Sequence, residues 1–152
     1  MDWVATLRRS GGINALARHV GISPLEASTG ATALLLPLLG GFRSIGDSES
    51  GLQILLAKLD TLGDGNLAVE VMGPDPLRTE AGEKILGWVL ESDASRRDMV
   101  AQAASVSDLE PDMVDRLLPP LAMLVGGYIS ARAGAEHDLR GLEGILDDPD
   151  RI

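Results

Sequence analysis

The sequence predicts an all-α fold: a multihelical bundle of about eight or nine helices around a kinked, buried central helix, with no sheet. Three observations lead there. Apolar residues recur at i, i+3 and i+4 along most of the chain, and no convincing run alternates apolar and polar residues between turns. Hydrophobic residues make up 45% of the 152 but aromatics only 3%, so the core must be aliphatic. Two long apolar runs, "ATALLLPLLGGFR" (31–43) and "RLLPPLAMLVGGYISAR" (116–132), are interrupted only by proline and glycine.

The elements follow in order. Residues 2–9 form a short helix with Trp3, Val4 and Leu7 on one face, and "SGG" interrupts it. Residues 12–20 place Ile13, Leu16, Ala17 and Val20 at helical spacing, with Gly21 as the C-cap. "GISPLEAS" is a start signal: Ser23 caps, Pro24 suits the first helical position, and Glu26 completes a capping box. That helix runs to Leu39 and is expected to end at Gly40-Gly41. "SIGDSESG" is a loop, and residues 49–62 put Leu52, Leu55, Leu56, Leu59 and Leu62 on one side. "GDGN" breaks this helix, "NLAVEVMG" makes one or two helical turns, and the proline-rich "GPDPLRTEAG" (73–82) is a loop. Helices follow at roughly 80–91, with Ile85, Leu86, Val89 and Leu90, and from near 94, with Met99, Val100, Ala103 and Ala104.

Pro111 then opens the long apolar helix. Met113, Val114, Leu117, Leu118, Leu121, Leu124, Val125 and Ile129 surround its axis, as expected of a helix buried on all sides. Pro119 and Pro120 crowd the carbonyls of Asp115 and Arg116, and Pro37 crowds that of Ala33, so the helices should kink or break there. The double glycine, Gly126-Gly127, is expected to end the long helix just before Tyr128. A terminal helix, 136–146, carries Leu139, Leu142, Ile145 and Leu146 on one face. The organisation is thus one helical domain, 1–146, and a frayed acidic tail, 147–152. Two units, from Pro24 to Gly40-Gly41 and from Pro111 to Gly126-Gly127, each followed by an aromatic (Phe42, Tyr128), hint at duplication. Their residues, Pro37, Gly40, Gly41, Pro119, Pro120, Gly126, Gly127 and Tyr128, are the candidate kink or pocket site, where freed carbonyls and glycine backbone offer a place for a small apolar ligand.

Several function classes have little support. The net charge of −10 disfavours nucleic acid and anionic membranes as partners. Residues 1–50 carry four Lys/Arg and four Asp/Glu, so the acidic excess lies beyond them. The apolar runs span 12 and 13 residues, where a membrane-crossing helix needs about 20, so no span is expected. "MDWVATLRRS" has the wrong order for a secretory signal, and the chain has no cysteine; both fit a cytoplasmic protein without disulfide or thiolate chemistry. His19 and His137 are isolated, so no metal is expected. "DTLGDGN" fails as a calcium loop, with Leu62 at the third ligand position and Val71 at the twelfth. Glu110, Asp112 and Asp115 sit at a helix start, where carboxylates favour the helix dipole, and Asp147, Asp148 and Asp150 lie in the tail. No nucleotide loop and no nucleophile elbow occurs, so no catalytic residue, cofactor or enzymatic activity is expected. "ALARHVGISPLEAS" has helix-turn-helix spacing through Ala17, Gly21 and Ile22, but its second helix carries no Lys or Arg before Arg43.

The segments "LARHVGISPLEASTGATALLLPLLGGF", "GEKILGWVLES" and "SRRDMVAQAASVSDLEPDMVDRLLPPLAMLVGGYI" resemble the bacterial YidB-like family called domain of unknown function 937, over roughly residues 11–131. The most telling pieces are Leu117-Leu118-Pro119 with the apolar stretch up to Gly127-Tyr128, and "GEKILG" from Gly82 to Gly87. Val89-Leu90 stand where the family often has a Phe-Gly pair, which alters the packing of that helix. The resemblance implies an all-helical fold and no reaction. The reading that results is a non-enzymatic helical scaffold or protein-interaction module, self-associating or binding another protein. A DNA-binding regulator and a binder of small apolar ligands are the alternatives.

Overall fold

A computed structural model of the chain describes residues 3–45, 49–63, 71, 73, 80–90 and 92–136. They form seven helices and no strand: α1 (Trp3–Ser10), α2 (Gly12–Val20), α3 (Pro24–Ile45), α4 (Glu49–Gly63), α5 (Glu80–Val89), α6 (Asp93–Ser107) and α7 (Pro111–Glu136). The count is below the expected eight or nine. The remaining expected segments, most of "NLAVEVMG" and the helix at 136–146, lie outside the described residues apart from Val71, Gly73 and Glu136, as does the acidic tail.

Local chemistry sets the helix starts and stops. Gly11 and Gly21 take positive φ (87° and 80°), which a glycine adopts at little cost. The Gly21 amide donates to the Ala17 carbonyl at 2.8 Å, closing α2. The capping box of α3 is reciprocal: the Ser23 amide donates to Glu26 Oε1, and the Glu26 amide donates to Ser23 Oγ, each at 3.1 Å. Ser92 caps α6 by accepting from the Ser95 amide at 3.1 Å, and Asp108, at φ 59°, closes it.

The double glycines do not end their helices. α3 runs on past Gly40-Gly41 to Ile45, and α7 past Gly126-Gly127 to Glu136. Glycine stops a helix when it turns left-handed, and among the described residues only Gly11, Gly21 and Asp108 do so. Nor do the prolines break the helices, since Pro37 lies inside α3 and Pro119 and Pro120 inside α7.

Because α3 continues to 22 residues, its mean hydropathy of 1.2 over 18 of them makes it long and apolar enough to cross a membrane by length and composition. Here 44% of that stretch is buried inside the bundle, where α3 packs against all six other helices.

The core lies around α3 and α7. α7 packs against α2, α3, α4, α5 and α6, with its most extensive contact to α5. Every residue from Leu117 to Gly127 is buried, which makes α7 the central helix that its all-round apolar pattern predicts. Phe42, Leu34, Leu35 and Leu38 of α3 join the same cluster, with Leu7, Leu16, Leu52, Leu55 and Ile85 from the surrounding helices. Among the described residues no polar or charged side chain is buried.

Close helix approach depends on glycine at a few places. A Cβ on Gly82 would lie 2.7 Å from the carbonyl carbon and 2.8 Å from the Cα of Pro119, so α5 and α7 touch backbone to backbone there. A Cβ on Gly41 would lie 2.6 Å from the Val89 carbonyl oxygen, and one on Gly30 2.5 Å from Leu117 Cδ1. Arg96 ties three helices at the rim: its guanidinium donates to Glu83 of α5 at 2.6 and 3.3 Å and to Asp115 of α7 at 3.0 Å. Its hydrogen bonds to Glu83 raise its pKa above the ordinary arginine value, so it stays charged at any pH the fold meets.

Candidate functional site

The residues of the two proline-to-glycine units lie at different depths. Pro119, Pro120, Gly126 and Gly127 are buried and Tyr128 is half-buried in α7, whereas Pro37 is exposed on α3 and Gly40 and Gly41 are half-buried. Leu117 to Pro119 and "GEKILG", separate in sequence, do meet, since Pro119 is the residue that Gly82 packs on. That contact gives both pieces of wording a role in packing α5 against α7.

The outer face of α3 is a different kind of surface. Leu25, Thr29, Thr32 and Leu36 fall at i, i+4, i+7 and i+11, on one stripe about 16 Å long, and all four are exposed. Leu25 is 78% exposed and Leu36 53%. The threonine hydroxyls are turned inward to their own helix: Thr29 Oγ1 donates to the Leu25 carbonyl at 2.8 Å, and Thr32 Oγ1 to the Ser28 carbonyl at 2.7 Å. With these hydroxyl protons engaged, the stripe offers less hydrogen bonding to its surroundings than its residue types imply. No charged residue occurs from Ala27 to Phe42, which leaves a charge-free face on a chain of net charge −10.

A second apolar surface lies between α4 and α5. Ile54, Ala57, Lys58 and Thr61 form one wall and Lys84 and Trp88 the other, around an open groove of about 400 Å³. The Lys58 ammonium stands 5.3 Å from the centre of the Trp88 ring, a cation–π distance. Lys58 and Lys84 are the only two lysines in the whole chain. Sequence reasoning passed over all three residues. The signal that was available is the scarcity itself, one of two tryptophans and both lysines at half-buried or exposed helical positions.

A smaller cleft of about 220 Å³ lies between α5 and α6, lined by Glu83, Leu86, Gly87, Leu90, Ser92, Asp93 and Arg96. Its one cation, Arg96, already serves the carboxylates of Glu83 and Asp115. The helix-turn-helix segment is likewise used for packing. Arg18 donates to the Gly73 carbonyl at 2.7 Å, the His19 ring bonds the Val71 carbonyl, and Arg116 reaches the Val20 carbonyl at 3.3 Å. Among the described residues no three His, Asp or Glu side chains are placed to hold a metal ion.

The sequence profile of the family described as "bacterial protein of unknown function (DUF937)" matches residues 6–132. No curated protein and no solved structure matches the chain.

Proposed function

Because the chain belongs to a bacterial family of unknown function, DUF937, its membership carries no reaction with it, and we propose that it is a non-enzymatic helical interaction module that self-associates through the outer face of α3. The observation that carries this reading is the charge-free stripe Leu25–Thr29–Thr32–Leu36. Two copies of a chain at −10 repel one another over most of their surface. A face without charge escapes that repulsion, and burying Leu25 and Leu36 against a second copy removes exposed apolar area from water. In a two-fold arrangement each of these leucines acts twice, since the same patch is used by both copies. The DNA-binding alternative has less behind it: the would-be recognition helix opens with Glu26 and brings no cation to a phosphate. The absence of cysteine leads us to place the module in the cytoplasm.

The test is light scattering after size exclusion over about a hundredfold range of concentration, since association follows mass action. The native chain is expected to rise above its monomer mass of 16.0 kDa as concentration increases. The double variant Leu25→Glu/Leu36→Glu is expected to stay at that mass with its helicity intact. A native chain that remains at 16.0 kDa at every concentration overturns the proposal.

A further inference from the structure

We propose that the groove between α4 and α5 is the seat of this chain's own acidic segment, residues 137–150, bound in cis. Three observations lead to this occupant rather than to another. The first is the charge of the groove. In a chain with an excess of ten acidic groups, both lysines line this one apolar surface, Lys58 from α4 and Lys84 from α5, together with Trp88 and Ile54. A surface with an apolar floor and two ammonium groups fits a partner that is apolar on one side and acidic on the other.

The second is the sequence that follows α7. In "HDLRGLEGILDDPD", Leu139, Leu142, Ile145 and Leu146 recur at helical spacing, and five Asp/Glu stand against one Arg. The apolar residues match the Trp88–Ile54 floor in kind, and Asp147, Asp148 and Asp150 match the ammonium groups of Lys58 and Lys84. The third is connection. α7 ends at Glu136 and packs on both α4 and α5, so the segment leaves from the helix that supports both walls of the groove. A tethered partner meets its site at an effective concentration no free peptide reaches, so modest contacts suffice to hold it. This seat is separate from the α3 stripe, and each stands without the other.

Zero-length carbodiimide coupling of the full chain tests it, with unlabelled and nitrogen-15-labelled chains mixed in equal amounts and the products mapped by mass spectrometry. Amide links from Lys58 or Lys84 to Asp147, Asp148 or Asp150 are expected, joining residues of the same label. Links between chains of unlike label make the occupant a second copy and overturn the cis proposal, and so does the absence of any link from either lysine to residues 137–150. The Leu142→Asp/Leu146→Asp variant in the full chain is expected to keep its helicity, while the yield of links from the lysines to Asp147, Asp148 or Asp150 falls about tenfold or more, the loss expected when two leucines no longer match the apolar floor. An unchanged yield overturns the proposal. In a Trp3→Phe background the same variant is expected to raise acrylamide quenching of Trp88, and a Trp88 that is quenched equally in both counts against an occupied groove.

Discussion

α3 and α7 carry nearly the same wording, a long aliphatic run with proline inside it and a glycine pair one turn or more later, yet they occupy different positions. α7 is enclosed from Leu117 to Gly127, and its prolines and glycines lie in the core. α3 is enclosed on one side only; its Pro37 faces water, Leu35 is fully buried, and the adjacent Leu36 is 53% exposed. Composition alone does not separate the two. What separates them is how many neighbours reach each side, and that decides which helix is wholly structural and which has a face to offer.

Predictions that sharpen or break this comparison run from large to small. Gly82→Val should be the most damaging, about 3 kcal/mol or more, because the new side chain meets Pro119 backbone that cannot move aside. Denaturant unfolding measures it, and a loss under about 1 kcal/mol would mean that α5 slides freely over α7. Leu35→Ala should cost about 3 kcal/mol and Leu36→Ala under about 0.5, although the residues are adjacent and chemically identical. Equal losses in the same unfolding assay would refute the one-sided burial of α3. Gly41→Ala should cost about 2 kcal/mol, because its Cβ meets the Val89 carbonyl oxygen. Pro37→Ala should stabilise by about 1–2 kcal/mol, since an exposed proline inside a helix gives up a backbone bond without filling a core. Smallest is Gly40→Ala, which meets nothing within 4 Å and should raise stability by about 0.5–1 kcal/mol. The opposite signs expected at Gly40 and Gly41, read from melting curves of the two variants, are the finest check on the register of α3.

Much of the fold was legible in the sequence because it rests on local chemistry. Ser23 and Glu26 cap each other across three residues, Gly21 is free to turn left-handed, and the apolar period of α7 goes all the way round. The glycine pairs misled for a physical reason. A glycine ends a helix only when nothing rewards its staying helical, and at Gly41 the close approach of the Val89 backbone does. No pattern within one helix reports that approach. The surfaces were illegible for a related reason. The α3 stripe depends on which side of a leucine-rich helix its neighbours leave bare, and on threonine hydroxyls that fold back onto their own backbone. The Arg96 clamp joins Glu83 and Asp115, which lie 13 and 19 residues away, so only the packed structure brings the three together.

The central position of α7 also has a consequence for the order of events during synthesis. The helix that fills the core follows the five it packs against, and Arg116 meets Val20 across 96 residues of chain. At about 5–20 residues per second, several seconds pass between the emergence of α3 from the ribosome and that of α7. Throughout that interval Leu34, Leu35 and Leu38 lack α7, and α3 can be covered only in part, by α1 and α2 already made and by α4, α5 and α6 as they emerge. Among the described helices the core is thus completed by the one made last, and the packing of α3 tightens only when α7 arrives.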